Sequence, residues 1–313
     1  MKIAAQMDDI SSINIKTDST FAILLEAQNR GHEIFYYLPS TLSFDSQTNV
    51  LKGLVKKIKL KKEIKNHFEI LEEKSENLTN FDVILVRQDP PFDMNYITST
   101  YLLEKIKNKV LILNNPSEIR NCPEKLFVTE FADLTPPTLI TSNLEEIKEF
   151  QQKNRDIILK PLYACGGEGI VLIKEKDVNL SSIFSLLIKT YQTPLIAQKF
   201  LPEISKGDKR IILVNGKAVG GISRIAKEGD VRSNLHIGGR AEKLILSKRD
   251  VEICDKISPE LKKRGLFLVG IDVIGDYLTE INVTSPTCIP ELNELNNIKA
   301  EAIVMDEIEN SII

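Results

Sequence analysis

Hydrophobic and polar positions alternate along the first third of the chain in blocks of two kinds. "KIAAQM" (2–7), "EIFYYL" (33–38), "VILV" (83–86) and "KVLILN" (109–114) are short apolar runs of strand length. Between the first two lies "DSTFAILLEAQNRG" (18–31), where Phe21, Leu24 and Leu25 share one helical face. Asp18 is placed to accept from the first-turn N–H groups, and Gly31 ends the pattern. A strand, loop, helix and second strand in that order predict a doubly wound parallel unit. Such sheets bind ligands beyond the carboxyl ends of their strands. The tails "RQDPPFD" (87–93) and "NNPSEIR" (114–120) are therefore candidate ligand loops, although a turn accounts for Pro90-Pro91 equally well.

Near "CPEKLF" (122–127) the rhythm changes to short strands broken by Gly and Pro, which sets a domain boundary at about residue 122. Fold class is thus α/β, with an α+β C-terminal half. A stretch rich in lysine, "LKGLVKKIKLKKEIK" (51–65), precedes the acidic "LEEKSE" (71–76) and reads as a solvated surface element. It lacks the aromatic interleaving of a nucleic-acid site.

Composition narrows the classes further. The 313 residues carry 41 Lys+Arg against 44 Asp+Glu, a net charge of −3, with no global attraction for nucleic acid or an acidic membrane. The apolar runs are too short to span a bilayer, and the N-terminus turns acidic too early for a secretory signal. Cys122, Cys165, Cys254 and Cys288 have no CxxC spacing, as expected of reduced thiols in a cytoplasm. No HExxH, GxSxG or Cys/His nucleophile pattern is present, so any chemistry runs through carboxylates, lysines, arginines and backbone amides.

The second half supplies such groups. "DIILKPLYACGGEGI" (156–170) is a strand ending in Lys160, a loop bearing Gly166, Gly167 and Gly169, and the start of another strand. Glycines let backbone amides approach a phosphate, and a strand lysine needs an anion. This is no Walker A motif, because a strand follows instead of a helix. In "LIAQKFLPEISKGDKRIILV", Gln198 suits an adenine edge, Phe200 and Leu201 the base, and Asp208 the ribose hydroxyls; each also has a core or turn explanation. Arg210 and Arg224, both on apolar strands, suit a transferring phosphoryl group. "KEGDVRSNLHIGGRAE" (227–242), aperiodic and glycine-rich, suits a lid or plain disorder.

"LFLVGIDVIGDYLTEINVT" (266–284) places Asp272 on one apolar strand and Glu280 and Asn282 on the next. Residues two apart in a strand share a face. Three oxygen donors match Mg²⁺, and one carboxylate can bridge two ions. A regular two-residue turn at Gly275-Asp276 would oppose Asp272 with Thr279 and turn Glu280 away. One metal site therefore requires a longer connection or a bulge.

Taken in order, "INIKTDSTFAILLEAQNRG", "VRQDPPFD", "NPSEIRNCPEKLF", "DIILKPL" with its glycines, "GDKRI", "RSNL", "GGR" and "VGIDVIGDYLTEINVTSPT" resemble the ATP-grasp superfamily, and within it the bacterial type of glutathione synthetase. The resemblance implies a Rossmann-like substrate-binding domain over 1–122 and an ATP-grasp domain over 123–313, with a mobile loop near 226–241. It implies an ADP-forming ligase joining γ-glutamylcysteine to glycine in the cytoplasm, with ATP as co-substrate. Two Mg²⁺ ions, replaceable by Mn²⁺, and a homo-oligomer without nucleic-acid or membrane partners complete the expectation. Residue by residue it places Lys125 and Lys160 on ATP phosphates, with Gly166 and Gly167 in the phosphate loop. Gln198, Phe200, Leu201 and Asp208 then hold adenosine, Asp272, Glu280 and Asn282 the metal, and Arg210 and Arg224 the transferring group. Substrate contacts are expected at Asp18, Ser19, Arg87, Asn234, Gly238, Gly239 and Ser285. "YACGGEG" departs from the "DGMGG"-like loop of relatives, residues 45–80 carry no family signature, and Gly220-Gly221 replaces bulkier residues. The alternatives are a grasp-type ligase for a different acid and amine, and a nucleotide sensor without turnover.

Overall fold

The computed structural model describes residues 1–227, 232, 233, 235 and 238–312. Strands β1 (Lys2–Gln6), β2 (Glu33–Tyr37), β3 (Ser43–Asp45), β4 (Val50–Leu60), β5 (Phe68–Asn77), β6 (Val83–Val86) and β7 (Leu111–Leu113) form the first sheet. A second contains β8 (Thr138–Thr141), β9 (Ile157–Pro161), β10 (Val171–Ile173) and β11 (Leu195–Lys199). The third contains β12 (Asp208–Val214), β13 (Lys217–Ile225), β14 (Arg240–Lys243), β15 (Leu268–Ile274) and β16 (Tyr277–Asn282). The helices are α1 (Ser19–Asn29), α2 (Met94–Glu104), α3 (Pro116–Asn121), α4 (Glu124–Phe127), α5 (Leu144–Asn154), α6 (Leu180–Tyr191), α7 (Lys248–Lys263), α8 (Ile289–Asn296) and α9 (Ala300–Asn310).

In the first sheet β2, β1, β6 and β7 run parallel, as the strand–helix–strand opening predicts. Asp18 caps α1 by accepting from Phe21 N at 2.6 Å, and Gly31 follows the helix with φ +86°. The sheet is mixed, however, because β4 pairs antiparallel with β2, β3 and β5. The lysine-rich segment is thus part of the sheet. Its apolar residues Leu51, Val55, Ile58 and Leu60 are buried, while its lysines meet the acids of β5: Lys56 pairs with Glu73 at 3.8 Å and Lys61 with Glu69 at 3.1 Å. That neutralisation is local. His32, just after Gly31, is paired with Glu309 of α9 at 2.7 Å.

Register explains which residues of the other two sheets face α6 and α7 and which face the opposite way. Opposed residues of an antiparallel pair share a face. Ile157, Leu159, Leu195 and Ala197 lie together in a core with Phe184 and Leu187 of α6, so Lys160 and Gln198 fall on the reverse face. Likewise Ile211, Leu213, Val269, Ile271 and Ile281 pack with Ile253, Ile257 and Leu261 of α7, leaving Arg210, Asp272 and Glu280 on the reverse face. Burying each of these aliphatic side chains contributes roughly 1.5–3 kcal/mol.

One apolar cluster crosses the proposed boundary at residue 122. Ile23 and Leu24 of α1 share it with Ile212, Phe267, Leu292, Val304 and Ile308. Asn114, at the end of β7, reinforces this joint. It donates to Leu268 O (2.9 Å) and Val283 O (2.6 Å) and accepts from Leu268 N (2.8 Å).

Candidate active site

The reverse faces of the second and third sheets border a cleft of about 820 Å³. Lys125, Lys160, Gly166, Gly167, Gln198, Phe200, Leu201, Asp208, Asp272 and Glu280 all line it, so residues spread over about half the chain converge. Period two also brings apolar residues that sequence reading had not selected. Ile158 lies two residues before Lys160, and Ile274 two after Asp272, on the same faces. Their strand spacing was the available signal.

The charges are arranged in matched sets. Asp272 takes a two-point contact from Arg210, Nε to Oδ1 at 2.5 Å and Nη2 to Oδ2 at 3.1 Å. Arg224 adds its Nη2 at 2.8 Å and also bonds Asp208. Burial disfavours the Asp272 carboxylate, but Arg210 and Arg224 outweigh it and hold the group below the usual carboxylate range. For Asp208 burial wins over Arg224, and the pKa rises. Gly270 makes the Arg210 position possible, since a Cβ there would lie 3.0 Å from Pro286 Cβ and 3.2 Å from Arg210 Cδ.

Glu280 sits 3.6 Å from both Lys125 Nζ and Lys160 Nζ. Burial lowers the Lys160 pKa despite Glu280. Lys125 is displaced the other way: burial opposes its charge, but Glu280 and the directly bonded Glu124 outweigh it. Lys125 also donates to Ala164 O at 2.7 Å, which ties the glycine-bearing loop to the cleft. Gly166, Gly167 and Gly169 all have positive φ.

Asn282 follows Glu280 by two residues, opposite Gly270. Its Nδ2 is buried without a hydrogen-bond partner among the described residues, so this contact does not fix the amide. Two carboxylates and an amide are hard oxygen donors, with no thiolate or imidazole in the set. No three His, Cys, Asp or Glu side chains among the described residues are grouped to hold a metal alone. A hard divalent ion fits these donors when substrate oxygens complete its shell.

The expected substrate residues divide. Asp18, Ser19, Arg87 and Ser285 meet at the N-terminus of α1: Ser19 Oγ accepts from Ile289 N (3.1 Å), and Ser285 Oγ donates to Arg87 O (3.2 Å). Gly238, with φ +94°, and Gly239 lead into β14 outside the cleft lining. Asn234 lies outside the described residues, as do 228–231, 236 and 237 of the expected loop. From that loop Arg232 and Ser233 do line the cleft, and Ser233 Oγ donates to Asp208 Oδ2 at 3.0 Å. Sequence reading missed Ser233 because nothing in its spacing tied it to a strand.

Two antiparallel sheets closing on a lysine- and arginine-rich cleft, beside a mixed N-terminal sheet with a parallel core, are the architecture of ATP-grasp ligases. The crystal structure of D-cycloserine synthetase DcsG superposes with a TM-score of 0.68 at 12% identity, covering 98% of this chain and 99% of that one. The family model of the prokaryotic glutathione synthetase N-terminal domain matches residues 1–120, and that of its ATP-grasp domain residues 124–297. Proteins named glutathione synthetase from Brucella melitensis and Agrobacterium fabrum are each 50% identical, over 99% and 98% of this chain and 98% and 96% of their own lengths. The chain belongs to the prokaryotic glutathione synthetase family. No helix among the described residues is long and apolar enough to cross a membrane.

Proposed function

We infer that this chain joins the cysteinyl carboxylate of γ-glutamylcysteine to the amine of glycine, with ATP converted to ADP and phosphate. The observation carrying this reading is Glu280 equidistant from Lys125 and Lys160 while Asp272 is held by Arg210 and Arg224. Carboxylates and cations in such alternation suit a polyphosphate and its metal.

In this reading the apolar walls at Ile158, Leu201 and Ile274 take the adenine, Gln198 its edge and Asp208 the ribose. Lys125, Lys160 and the amides near Gly166 and Gly167 hold the phosphates. Lys125, Lys160, Arg210 and Arg224 are each already paired with a carboxyl group (Glu124, Glu280, Asp272 and Asp208). A tetra-anionic nucleotide entering among these matched pairs would bring excess negative charge, which divalent cations would offset. Asp272, Glu280 and Asn282 would hold them. Magnesium, with Mn²⁺ as its substitute, supplies Lewis-acid neutralisation of phosphate charge.

A carboxylate and an amine do not condense unaided. Phosphorylation makes the cysteinyl carboxylate an acyl phosphate with a good leaving group. Arg210 and Arg224 then stabilise charge on the transferring group and on the tetrahedral oxyanion formed by glycine. No side-chain nucleophile is needed, consistent with four free cysteines, of which only Cys165 is exposed. Incubation with ATP, Mg²⁺ and carboxylate-¹⁸O dipeptide tests the order of events. Label should appear in released phosphate, with steady ADP release requiring glycine. Efficient ligation of a different acid and amine, with none of these two, would overturn the substrate assignment.

A further inference from the structure

Pro161 ends β9, and the residues after it fasten the glycine-bearing loop on two sides before its first glycine. The Tyr163 ring stacks on Phe92, with centroids 6.3 Å apart and planes 22° from parallel. Ala164 O accepts from Lys125 Nζ at 2.7 Å. Gly166, Gly167 and Gly169 come later, all at positive φ, so freedom to hinge begins only past the fastened part. Tyr163 is 42% exposed and fills no core; its ring is spent on the contact with Phe92. It also heads the stretch in which this loop departs from the "DGMGG"-like sequence of relatives.

Phe92 lies in the tail that leaves the first sheet after β6 and begins at Arg87. Its ring also meets that of Tyr96, 5.3 Å away and buried on α2. Three aromatic rings thus lead from the glycine-bearing loop into the N-terminal half. Phe92 and Tyr163 border a cavity of about 370 Å³ together with Pro90, Leu162, Cys165 and Val283. Val283 directly follows Asn282, so the junction adjoins the cleft. On one flank is the tail expected to meet the acid, and on the other Lys125, 3.6 Å from Glu280. When acid binding moves the tail, Tyr163 follows Phe92, and the shift reaches Lys125 through the Ala164 carbonyl. A stacked pair at this spacing shifts an equilibrium by roughly two- to tenfold.

We propose that Tyr163 is a positioning residue that couples the two substrates. Stacked on Phe92, it seats the Ala164 carbonyl, and so the Lys125 ammonium, for the nucleotide phosphates when the acid is in place. This rests on the reading of the chain as a γ-glutamylcysteine ligase. Coupling is reciprocal, so the nucleotide tightens acid binding by the same factor. The aspartate-bearing loop of relatives offers Phe92 no ring, so the linkage belongs to this chain's own loop.

Calorimetry with a non-hydrolysable ATP analogue and Mg²⁺, with and without saturating γ-glutamylcysteine, gives the coupling factor for wild type, Tyr163→Ala, Tyr163→Phe and Phe92→Leu. The dipeptide should tighten nucleotide binding in wild type by roughly two- to tenfold more than in Tyr163→Ala. Tyr163→Phe keeps the ring and should match wild type. Adding Phe92→Leu to Tyr163→Ala should remove no further coupling, since the two rings act as one pair. A structural role alone weakens both ligands and leaves the coupling factor at its wild-type value. That outcome, or a factor of one in wild type, overturns the proposal. Should Phe92→Leu not fold, the two Tyr163 variants decide alone. Failure of folded wild type to ligate γ-glutamylcysteine and glycine would instead overturn the underlying reading and this inference with it.

Discussion

Asp272 stands directly opposite Glu280 in the last hairpin, although only Gly275 and Asp276 turn the chain between their strands. Ile274 pairs with Tyr277 and Val273 with Leu278; Thr279 is then the extra residue, and pairing resumes at Asp272–Glu280. The bulge changes the parity of the strand. Leu278 can therefore pack in the core while Glu280, two residues on, enters the cleft. Thr279 is held in place by donating from Oγ1 to Asp272 O at 3.1 Å.

In the proposed reading Glu280 has two roles with opposite consequences. Against Lys125 and Lys160 it would compete with phosphate oxygens, whereas as a metal ligand it would support turnover. Glu280→Gln should therefore bind ATP more tightly in EDTA, yet lose roughly 100-fold or more in kcat with Mg²⁺. Asn282→Ala should lose less, because it removes no charge. Calorimetry and steady-state kinetics measure both. Near-normal kcat in Glu280→Gln would remove it from the metal ligands.

The parallel strands, α1 with its Asp18 cap, and the cleft residues on β9, β11, β12, β15 and β16 were legible because local periodicity reports which face a residue occupies. What was not legible depends on partners distant in sequence. The lysine-rich segment read as surface because its alternating Leu51, Val55 and Ile58 are masked by lysines whose neutralising acids come from the next strand. The need for a parity change at Glu280 followed from the turn, but Thr279 as its site did not. Asn114 gave no signal, since its partners are backbone atoms about 150 residues away.

The loop carrying Gly166, Gly167 and Gly169 separates conformational strain from space. Gly166 and Gly169 both have left-handed φ, at +66° and +69°. Nothing lies within 4 Å of a Cβ added at Gly166, whereas at Gly169 it would meet Pro161 Cγ at 2.6 Å and Tyr191 Oη at 2.7 Å. Gly166→Ala should cost about 1–2 kcal/mol of stability from φ alone. Gly169→Ala should add about 1–3 kcal/mol of overpacking and weaken ATP binding as the loop shifts. Equal urea midpoints for the two variants would contradict this ordering.

Asn114 joins the first sheet to the third through three hydrogen bonds. Asn114→Ala leaves Leu268 N and O and Val283 O without that partner at a buried joint. A loss of about 2–4 kcal/mol is expected, at the upper end for one side chain. Because the apolar cluster there is shared, both parts should still unfold in one transition. Urea denaturation followed by two probes tests this, and a change below 0.5 kcal/mol, on the order of an ordinary surface substitution, would show the bonds to be replaced by water.

In the proposed reading, Ser233 and the ribose of a bound nucleotide would compete for Asp208. Ser233 Oγ and Arg224 Nη2 both bond Oδ2, while Oδ1 is buried with no partner among the described residues. If ribose hydroxyls take Oδ2, each binding event must displace Ser233, and part of the binding energy goes into that exchange. Ser233→Ala removes the competitor. Its affinity for ADP without metal should rise by about tenfold, the lower end of what a hydrogen bond to a charged group is worth. Trypsin should also cut faster after Arg232 in the free variant, because the neighbouring anchor is gone. In wild type, ADP should produce the same acceleration by displacing the hydroxyl. Unchanged affinity and cleavage in Ser233→Ala would mean that ribose uses Oδ1 and that Ser233 stays bonded to Asp208 through the binding event.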